Sequence, residues 1–231
     1  MSQDSQLQRA VLAELKWEPS VTAAHIGVTA KSGVVALTGH VDSYAEKHAA
    51  EMAASRVKGV KAIAEEIEVR LPFDQRRTDE DIAAAAINRM DWDVAVPEAG
   101  VEVKVENGWL TLTGLVDWHY QRQAAERDVR NLMGVVGVSN QIGIKPKADA
   151  ANLSDGIEHA LNRSWFFDPK VVTVTAQGGK IKLTGTVRSW HDREVAEKAA
   201  WAAPGVTSVE NKIMIDHLIQ AGSHSAAVRI S

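Results

Sequence analysis

Hydrophobic and polar positions follow one pattern three times along this chain. Apolar residues first recur every three or four positions, as on one face of a helix, and then at every second position through two runs joined by a short turn. Another helical stretch and a third alternating run complete the pattern. We therefore predict an α+β fold of three tandem αββαβ units, in which each small three-stranded mixed sheet is covered by two helices.

A five-residue phrase, Leu-Thr-Gly-x-Val, ends the second predicted strand of each unit. It occupies residues 37–41, 112–116 and 183–187, and a Gly-Val pair begins twenty residues after its glycine every time. A spacing that is kept three times marks an internal repeat, and copies 75 and 71 residues apart are long enough to be separate small domains. We predict units at 1–71, 72–147 and 148–216, followed by a frayed tail at 217–231.

The turn of each predicted hairpin sets the strand register. In the second unit, three alternating valines precede Asn107-Gly108, which is a preferred pair for a type I′ turn. Counting outward from this turn and from the corresponding turns of the other units predicts which residues face each other. The predicted pairs are Ala30–Val35, Val28–Leu37, Val105–Leu110, Val103–Leu112, Ala176–Ile181 and Val174–Leu183. A right-handed crossover then makes the third strand parallel to the second, beside either the first or the second strand.

Capping residues and glycines place the helix ends. The first helix is predicted at Gln6 to Lys16, with Asp4 or Ser5 as its cap, and the stretches 43–46 and 78–81 have the form of capping boxes. Two sets of glycines are interpreted as structural, one at left-handed helix ends and one where a strand turns towards a helix. They are Gly59, Gly134 and Gly205, and Gly39, Gly114 and Gly185.

The composition is that of an ordinary globular protein, with 45% hydrophobic and 24% charged residues. The net charge is -4 and no unit has a basic excess, which argues against binding to nucleic acid. The absence of cysteine excludes disulfides and thiolate metal sites. We find neither a secretory signal nor an apolar run long enough to span a bilayer, so the chain as written is expected in the cytosol.

Motifs for catalysis and for cofactors are missing from the sequence. It has no phosphate loop, dinucleotide fingerprint or His-Glu-x-x-His motif, so we expect no enzyme activity, cofactor or metal site. His119 and His191 lie near the start of the second helix in two units. A metal site needs several converging ligands, so we interpret these two residues as surface histidines and not as metal ligands. The acidic stretches 65–68 and 78–81 are typical of a solvated strand edge and of a helix N-terminus.

Aromatic residues recur at two places in the units. Trp17, Trp92 and Trp165 end the first helix, and Tyr44, Trp118 and Trp190 begin the second. They either cap the ends of each small core, or form an amphipathic rim that binds a lipid interface or a partner. The polar residues beside Trp118 favour Trp118 and Trp190 as the exposed pair.

The combination of Asn107-Gly108, the phrase at 112–116, Gly134-Val135 and Val-Ser-Asn-Gln-Ile at 138–142 resembles the BON (bacterial OsmY and nodulation) domain family. The resemblance covers residues 4–216 in three copies. The third unit repeats the last piece with Asn211, whereas the first has Glu65 at that place. The resemblance implies a non-catalytic role in osmotic or envelope stress, contact with phospholipid, and a periplasmic location as the alternative to the cytosol.

Two hypotheses of function follow. The first is a stress-associated binding protein that contacts anionic phospholipid or an envelope protein. The alternative is a cytosolic sensor or scaffold that binds an ion, a small ligand or a protein in a groove between units.

Overall fold

The computed structural model describes residues 2–146, 153–162, 171–187 and 190–215. This part of the chain contains three αββαβ repeats, which confirms the predicted fold class. The first repeat consists of α1 (Gln3–Trp17), β1 (Ile26–Lys31), β2 (Val34–Val41), α2 (Tyr44–Ser55) and β3 (Ala62–Val69). The second consists of α3 (Asp79–Asp91), β4 (Val101–Glu106), β5 (Trp109–Val116), α4 (His119–Arg130) and a third strand in two pieces, β6 (Gly137–Asn140) and β7 (Gly143–Ile144). The third consists of α5 (Leu153–Asn162), β8 (Val172–Gln177), β9 (Lys180–Val187), α6 (Trp190–Trp201) and β10 (Ser208–Ile215).

The second strand is the central strand of every sheet. It pairs antiparallel with the first strand and parallel with the third. All six predicted pairs of facing residues are observed, as in Val103 opposite Leu112. The third strand lies beside the second, which the sequence pattern left open.

The first helix begins earlier than predicted. It starts at Gln3, and its cap is Ser2, whose hydroxyl oxygen accepts the backbone N–H of Ser5 at 3.2 Å. Asp4 does not cap the helix because its carboxylate accepts the N–H of Ser32 in the first hairpin turn, at 2.8 Å. Acidic residues in the first turn of a first helix therefore stabilise the neighbouring hairpin.

The same arrangement occurs in the second repeat. The two carboxylate oxygens of Asp79 accept the N–H groups of Asn107 and Gly108, each at 2.8 Å. The N-terminus of α3 is satisfied separately by the predicted capping box of Thr78 and Asp81. The acidic stretch 78–81 thus caps both a helix and a turn.

The helices cover one face of each sheet and enclose a small core. Leu37, Leu112 and Leu183, the first residues of the three phrases, are completely buried. Full burial of such a side chain contributes about 1.5–3 kcal/mol. Alanines on the second helices, among them Ala50, Ala125 and Ala196, are also fully buried and allow close helix–sheet packing.

The chain divides into two compact units that do not follow the repeat boundaries. One consists of Met1–Gly114 and Gln123–Ile142, and the other of Leu115–Arg122 and Gly143–Ser231. The first unit thus includes the first repeat and most of the second, while the start of α4 belongs with the third repeat. No helix in the described part of the chain has the length and apolar character needed to cross a bilayer.

Candidate binding surfaces

Trp17 and Trp92 are the most exposed tryptophans among those whose side chains are described. Trp17 ends α1 and Trp92 directly follows α3, at equivalent positions in their repeats. Their side chains are 81% and 86% exposed. The interpretation that these two residues cap the core is therefore wrong. Trp165, the predicted counterpart in the third unit, lies outside the described residues.

An ion pair holds the loop beside each of these tryptophans. In the first repeat, Arg56 donates to Glu14 and Glu18 at 3.1 and 2.9 Å, and the hydrogen bond from Arg56 lowers the pKa of Glu18. In the second, Arg127 of α4 donates to Asp93 at 2.9 Å. Such exposed pairs stabilise a protein little, but they hold the backbone next to each indole against the second helix.

Tyr44 lies at a contact between the first and second repeats, inside the first compact unit. It begins α2, is half-buried, and shares a hydrogen bond with the backbone of Val138 in β6; burial raises the pKa of its hydroxyl. One helical turn further, burial and the positive charge of Arg130 lower the pKa of His48. A cleft of about 510 Å³ beside this contact is lined by His48 from the first repeat and Arg130 from the second.

Trp118 is not one of the most exposed aromatic residues, contrary to the prediction. Helix α4 begins at His119, so Trp118 precedes the helix. The side-chain oxygen of Gln121 accepts the N–H groups of Asp117 and Trp118, each at 3.0 Å. The Trp118 side chain is partly buried. Trp190 begins α6, and its side chain lies outside the described part of the structure.

His119 stacks on Trp201 inside the second compact unit. The ring centroids are 3.9 Å apart and the ring planes differ by 13°. Trp201 was not among the candidate residues, because no pattern in the sequence pairs it with His119. His119 is half-buried, which corrects its interpretation as a surface histidine. Within the described residues, no group of three or more His, Asp or Glu could hold a metal ion.

The asparagine of the third strand forms a hydrogen bond with the second helix in two repeats. Asn140 and Asn211 each donate to a helix glutamate, Glu126 and Glu197, at 2.9 Å. Each asparagine oxygen also accepts the N–H two residues further along the strand, at 3.2 and 3.1 Å. These hydrogen bonds connect the third strand to the second helix in both repeats.

Glu65 takes over this role in the first repeat. One of its oxygens accepts the N–H of Ile67 at 2.9 Å, as the asparagines do in their strands. The other pairs with Lys47 of α2 at 2.9 Å. Glu65 in place of asparagine therefore has a different partner on the second helix, Lys47, but it keeps both the bond along the strand and the bond to the helix.

Asp128 is a buried carboxyl group in the second repeat. Burial raises its pKa, and the charge of Asp93 raises it further. Arg89 lies 3.8 Å from one Asp128 oxygen but is itself largely exposed, so it compensates the burial only weakly. The first and third repeats have Ala53 and Ala199 at this position.

Replacement of Asp128 by alanine is expected to stabilise the protein at neutral pH. Because the folded-state pKa of Asp128 is raised, the folded chain binds the carboxyl proton more tightly than the unfolded chain does. The protonated carboxyl therefore makes a stabilising contribution that is complete below the unfolded pKa of about 3.9. It is lost as the pH rises through the raised pKa. Asp128→Ala should therefore increase the free energy of unfolding by about 1–3 kcal/mol at pH 7, with a smaller gain near pH 4.5. Urea unfolding at both pH values measures this, and equal or lower stability at pH 7 would contradict it.

A second cleft, of about 670 Å³, surrounds the linker between the first two repeats. Its lining includes Arg70, Arg76 and Arg77. Within the linker, Arg77 donates to the carbonyl oxygens of Asp74 and Arg76 at 2.8 and 2.7 Å. The cleft offers guanidinium groups of the kind that bind phosphate oxygens.

Comparisons with known proteins establish the family. A family model described as the BON domain matches residues 3–70, 78–146 and 149–216. The chain therefore belongs to the BON domain family. Osmotically-inducible protein Y of Escherichia coli (strain K12) is 28% identical over 150 residues, which cover 62% of this chain and 73% of that protein. Among solved structures, the C-terminal domain of CdsD, a structural protein of the type III secretion system of Chlamydia trachomatis, is similar at 15% identity and a TM-score of 0.26, over 94% of this chain and 100% of that one.

Proposed function

We propose that this protein is a non-enzymatic, stress-associated binding protein that contacts anionic phospholipid surfaces through Trp17 and Trp92. The observation that carries the proposal is the exposure of two tryptophans, 81% and 86%, at equivalent positions of two repeats. Membership of the BON domain family and the similarity to an osmotically inducible protein support the link with stress.

Exposed indole rings favour a membrane interface for a physical reason. An indole has a large apolar body and one N–H donor, so it gains most where one side is apolar and the other wet. Val94, close to Trp92 in the chain, is also exposed and enlarges the apolar surface there. Each indole buries roughly 150–250 Å² when covered, which is worth several kcal/mol before the costs of ordering are counted.

The charge of the protein acts in two opposite ways on binding to an anionic membrane surface. The net charge of -4 repels an anionic surface, whereas Arg70, Arg76 and Arg77 in the linker cleft supply positive charge. Arg70 pairs with Glu68 at 2.7 Å, which reduces this local charge. We therefore expect binding that depends on the tryptophans more than on salt.

The experiment is flotation of the full chain with vesicles of phosphatidylglycerol and phosphatidylethanolamine. The double variant Trp17→Ala/Trp92→Ala should bind at least about tenfold more weakly, since 1.4 kcal/mol corresponds to a factor of ten. Ile87→Ala is the matched control, because Ile87 is an exposed apolar residue of α3. It should bind as the wild type does. Absence of wild-type binding at low salt, or unchanged binding of the double variant, would contradict the proposal.

A sensor of small anions is the second candidate. It is favoured by the cleft of about 510 Å³, whose lining includes both Arg130 and His48. Thermal unfolding in the presence of a panel of salts and metabolites tests it. A midpoint raised by one ligand in the wild type but not in Arg130→Ala would support this candidate, and a flat response would exclude it.

A further inference from the structure

Three arginines gather around the linker between the first two repeats, inside the first compact unit. Arg70 directly follows β3, and Arg76 and Arg77 directly precede Thr78, the cap of α3. All three line the cleft of about 670 Å³. This volume lies within the usual range of small-molecule sites, roughly 300–1,000 Å³. A chain with a net charge of -4 thus concentrates positive charge around one cavity.

Two of these three charges have no carboxylate partner. In the part of the chain that the structure describes, Arg76 and Arg77 form no ion pair, whereas Arg70 pairs with Glu68 at 2.7 Å. Among the same residues, the guanidinium of Arg76 has one long hydrogen bond, from Nε to the carbonyl oxygen of Leu71 at 3.4 Å. Both of its terminal NH₂ groups are therefore available to a ligand.

Neutral groups hold Arg77 in place. Its Nη1 donates to the carbonyl oxygens of Asp74 and Arg76 at 2.8 and 2.7 Å, and its Nη2 donates to Met133 Sδ at 3.3 Å. The stem of Arg77 lies against Gly134, where an added Cβ would approach the Arg77 Cβ to 2.8 Å. These contacts orient the guanidinium without cancelling its charge, so a second cation is preorganised at the cleft.

The two carboxylates on the lining of this cleft are already engaged. Glu68 pairs with Arg70, and the oxygens of Asp79 accept the backbone N–H groups of Asn107 and Gly108. Their negative charges remain, but the lining still has three cations against two anions. An incoming anion therefore meets guanidinium groups that no carboxylate covers.

We propose that this cleft binds a phosphate group with two negative charges, as in a phosphomonoester or pyrophosphate. The uncompensated charges of Arg76 and Arg77 match a dianion, and a guanidinium fork can donate a pair of hydrogen bonds to phosphate oxygens. The cleft is much larger than one phosphate group, so the rest of a phosphorylated molecule has room. A phosphodiester carries only one charge and matches the site less well.

Isothermal titration calorimetry of the full chain with pyrophosphate tests the site. We expect a Kd of about 0.1–1 mM at low salt and weaker binding at high salt, because the arginines are exposed and screened by ions. Dimethyl phosphate, a monoanion, should bind at least about fivefold more weakly than pyrophosphate. Absence of pyrophosphate binding, or equal binding of the two anions, would overturn the proposal.

Arg76→Ala is the variant that tests the role of the guanidinium groups. It should bind pyrophosphate at least about fivefold more weakly, because it removes one of the two uncompensated charges. Lys58→Ala is the matched control, since it removes an exposed positive charge that does not line the cleft. It should bind within about twofold of the wild type. Circular dichroism melting checks that both variants are folded, and wild-type affinity in folded Arg76→Ala would overturn the proposal.

Vesicles distinguish a lipid headgroup from a soluble anion as the source of the phosphate. Phosphatidic acid has a phosphomonoester headgroup, whereas phosphatidylglycerol has a phosphodiester. Stronger flotation with phosphatidic acid, lost in Arg76→Ala, would support the site with a lipid as its ligand. Pyrophosphate binding without a preference between the two lipids would support the site with a soluble anion as its ligand.

The cleft is also separable from the function proposed above. Neither Trp17, Trp92 nor Arg130 lines it. Trp17→Ala/Trp92→Ala and Arg130→Ala should therefore bind pyrophosphate as the wild type does, even if the tryptophan variant no longer floats with vesicles. Loss of pyrophosphate binding in either of these folded variants would place the anion elsewhere and overturn the proposal.

Discussion

Gly114→Val is expected to unfold the second repeat. Gly114 has a φ of 122°, in a region that side chains with a Cβ rarely adopt. A Cβ at this position would also collide with the backbone carbonyl oxygen of Gly100, which cannot move away without breaking the start of β4. A β-branched residue adds its own steric cost. We expect a loss of more than about 4 kcal/mol, which exceeds what a small repeat can tolerate.

Hydrogen exchange measured by mass spectrometry can locate this loss within the full chain. Peptides covering residues 101–116 should lose their protection in Gly114→Val. Gly156→Ala is a matched control, because Gly156 lies inside α5 and a Cβ there meets no atom within 4 Å. It should stabilise α5 by up to about 1 kcal/mol. Normal protection of β5 in Gly114→Val would contradict the steric account.

The repeated phrase and the turn residues made the fold predictable from sequence. Alternating side chains determine which residues of a hairpin face each other once the turn is known, and Asn107-Gly108 identifies the turn. The start of α1 was not predictable in the same way. Asp4 has the properties of a helix cap, and only the position of the hairpin shows that its carboxylate binds Ser32 instead.

The candidate surfaces were only partly predictable because exposure depends on packing between distant segments. The positions of Trp17 and Trp92 could be read from the helix ends, but their exposure could not. Trp118 was predicted to be exposed from its polar neighbours, yet its side chain is partly buried. The stacking of His119 on Trp201 joins residues far apart in the chain, and no local pattern indicates it.

Glu46→Ala is expected to destabilise the first repeat by about 3 kcal/mol. The stretch 43–46 was predicted as a capping box, and Ser43 does accept the N–H of Glu46 at 3.1 Å. The carboxylate, however, does not bind the N–H of Ser43 in return. It accepts the N–H groups of Thr22 at 2.6 Å and Asp42 at 3.1 Å, and so ties the loop after α1 to the end of β2. Alanine would leave both partly buried N–H groups without an acceptor, at about 1–3 kcal/mol each.

Glu46→Gln separates the role of the oxygen atoms from that of the side chain as a whole. The two N–H groups bind different carboxylate oxygens, so glutamine keeps one acceptor and turns an amide NH₂ towards the other donor. Its cost should lie between those of the wild type and alanine. In the second repeat Gln121 serves two N–H groups through one oxygen, so the fold itself accepts an amide here. Urea unfolding measures both variants against Glu66→Ala, an exposed carboxylate on β3 that should change stability by less than about 0.5 kcal/mol. An alanine variant no less stable than this control would show that the two N–H groups find other acceptors.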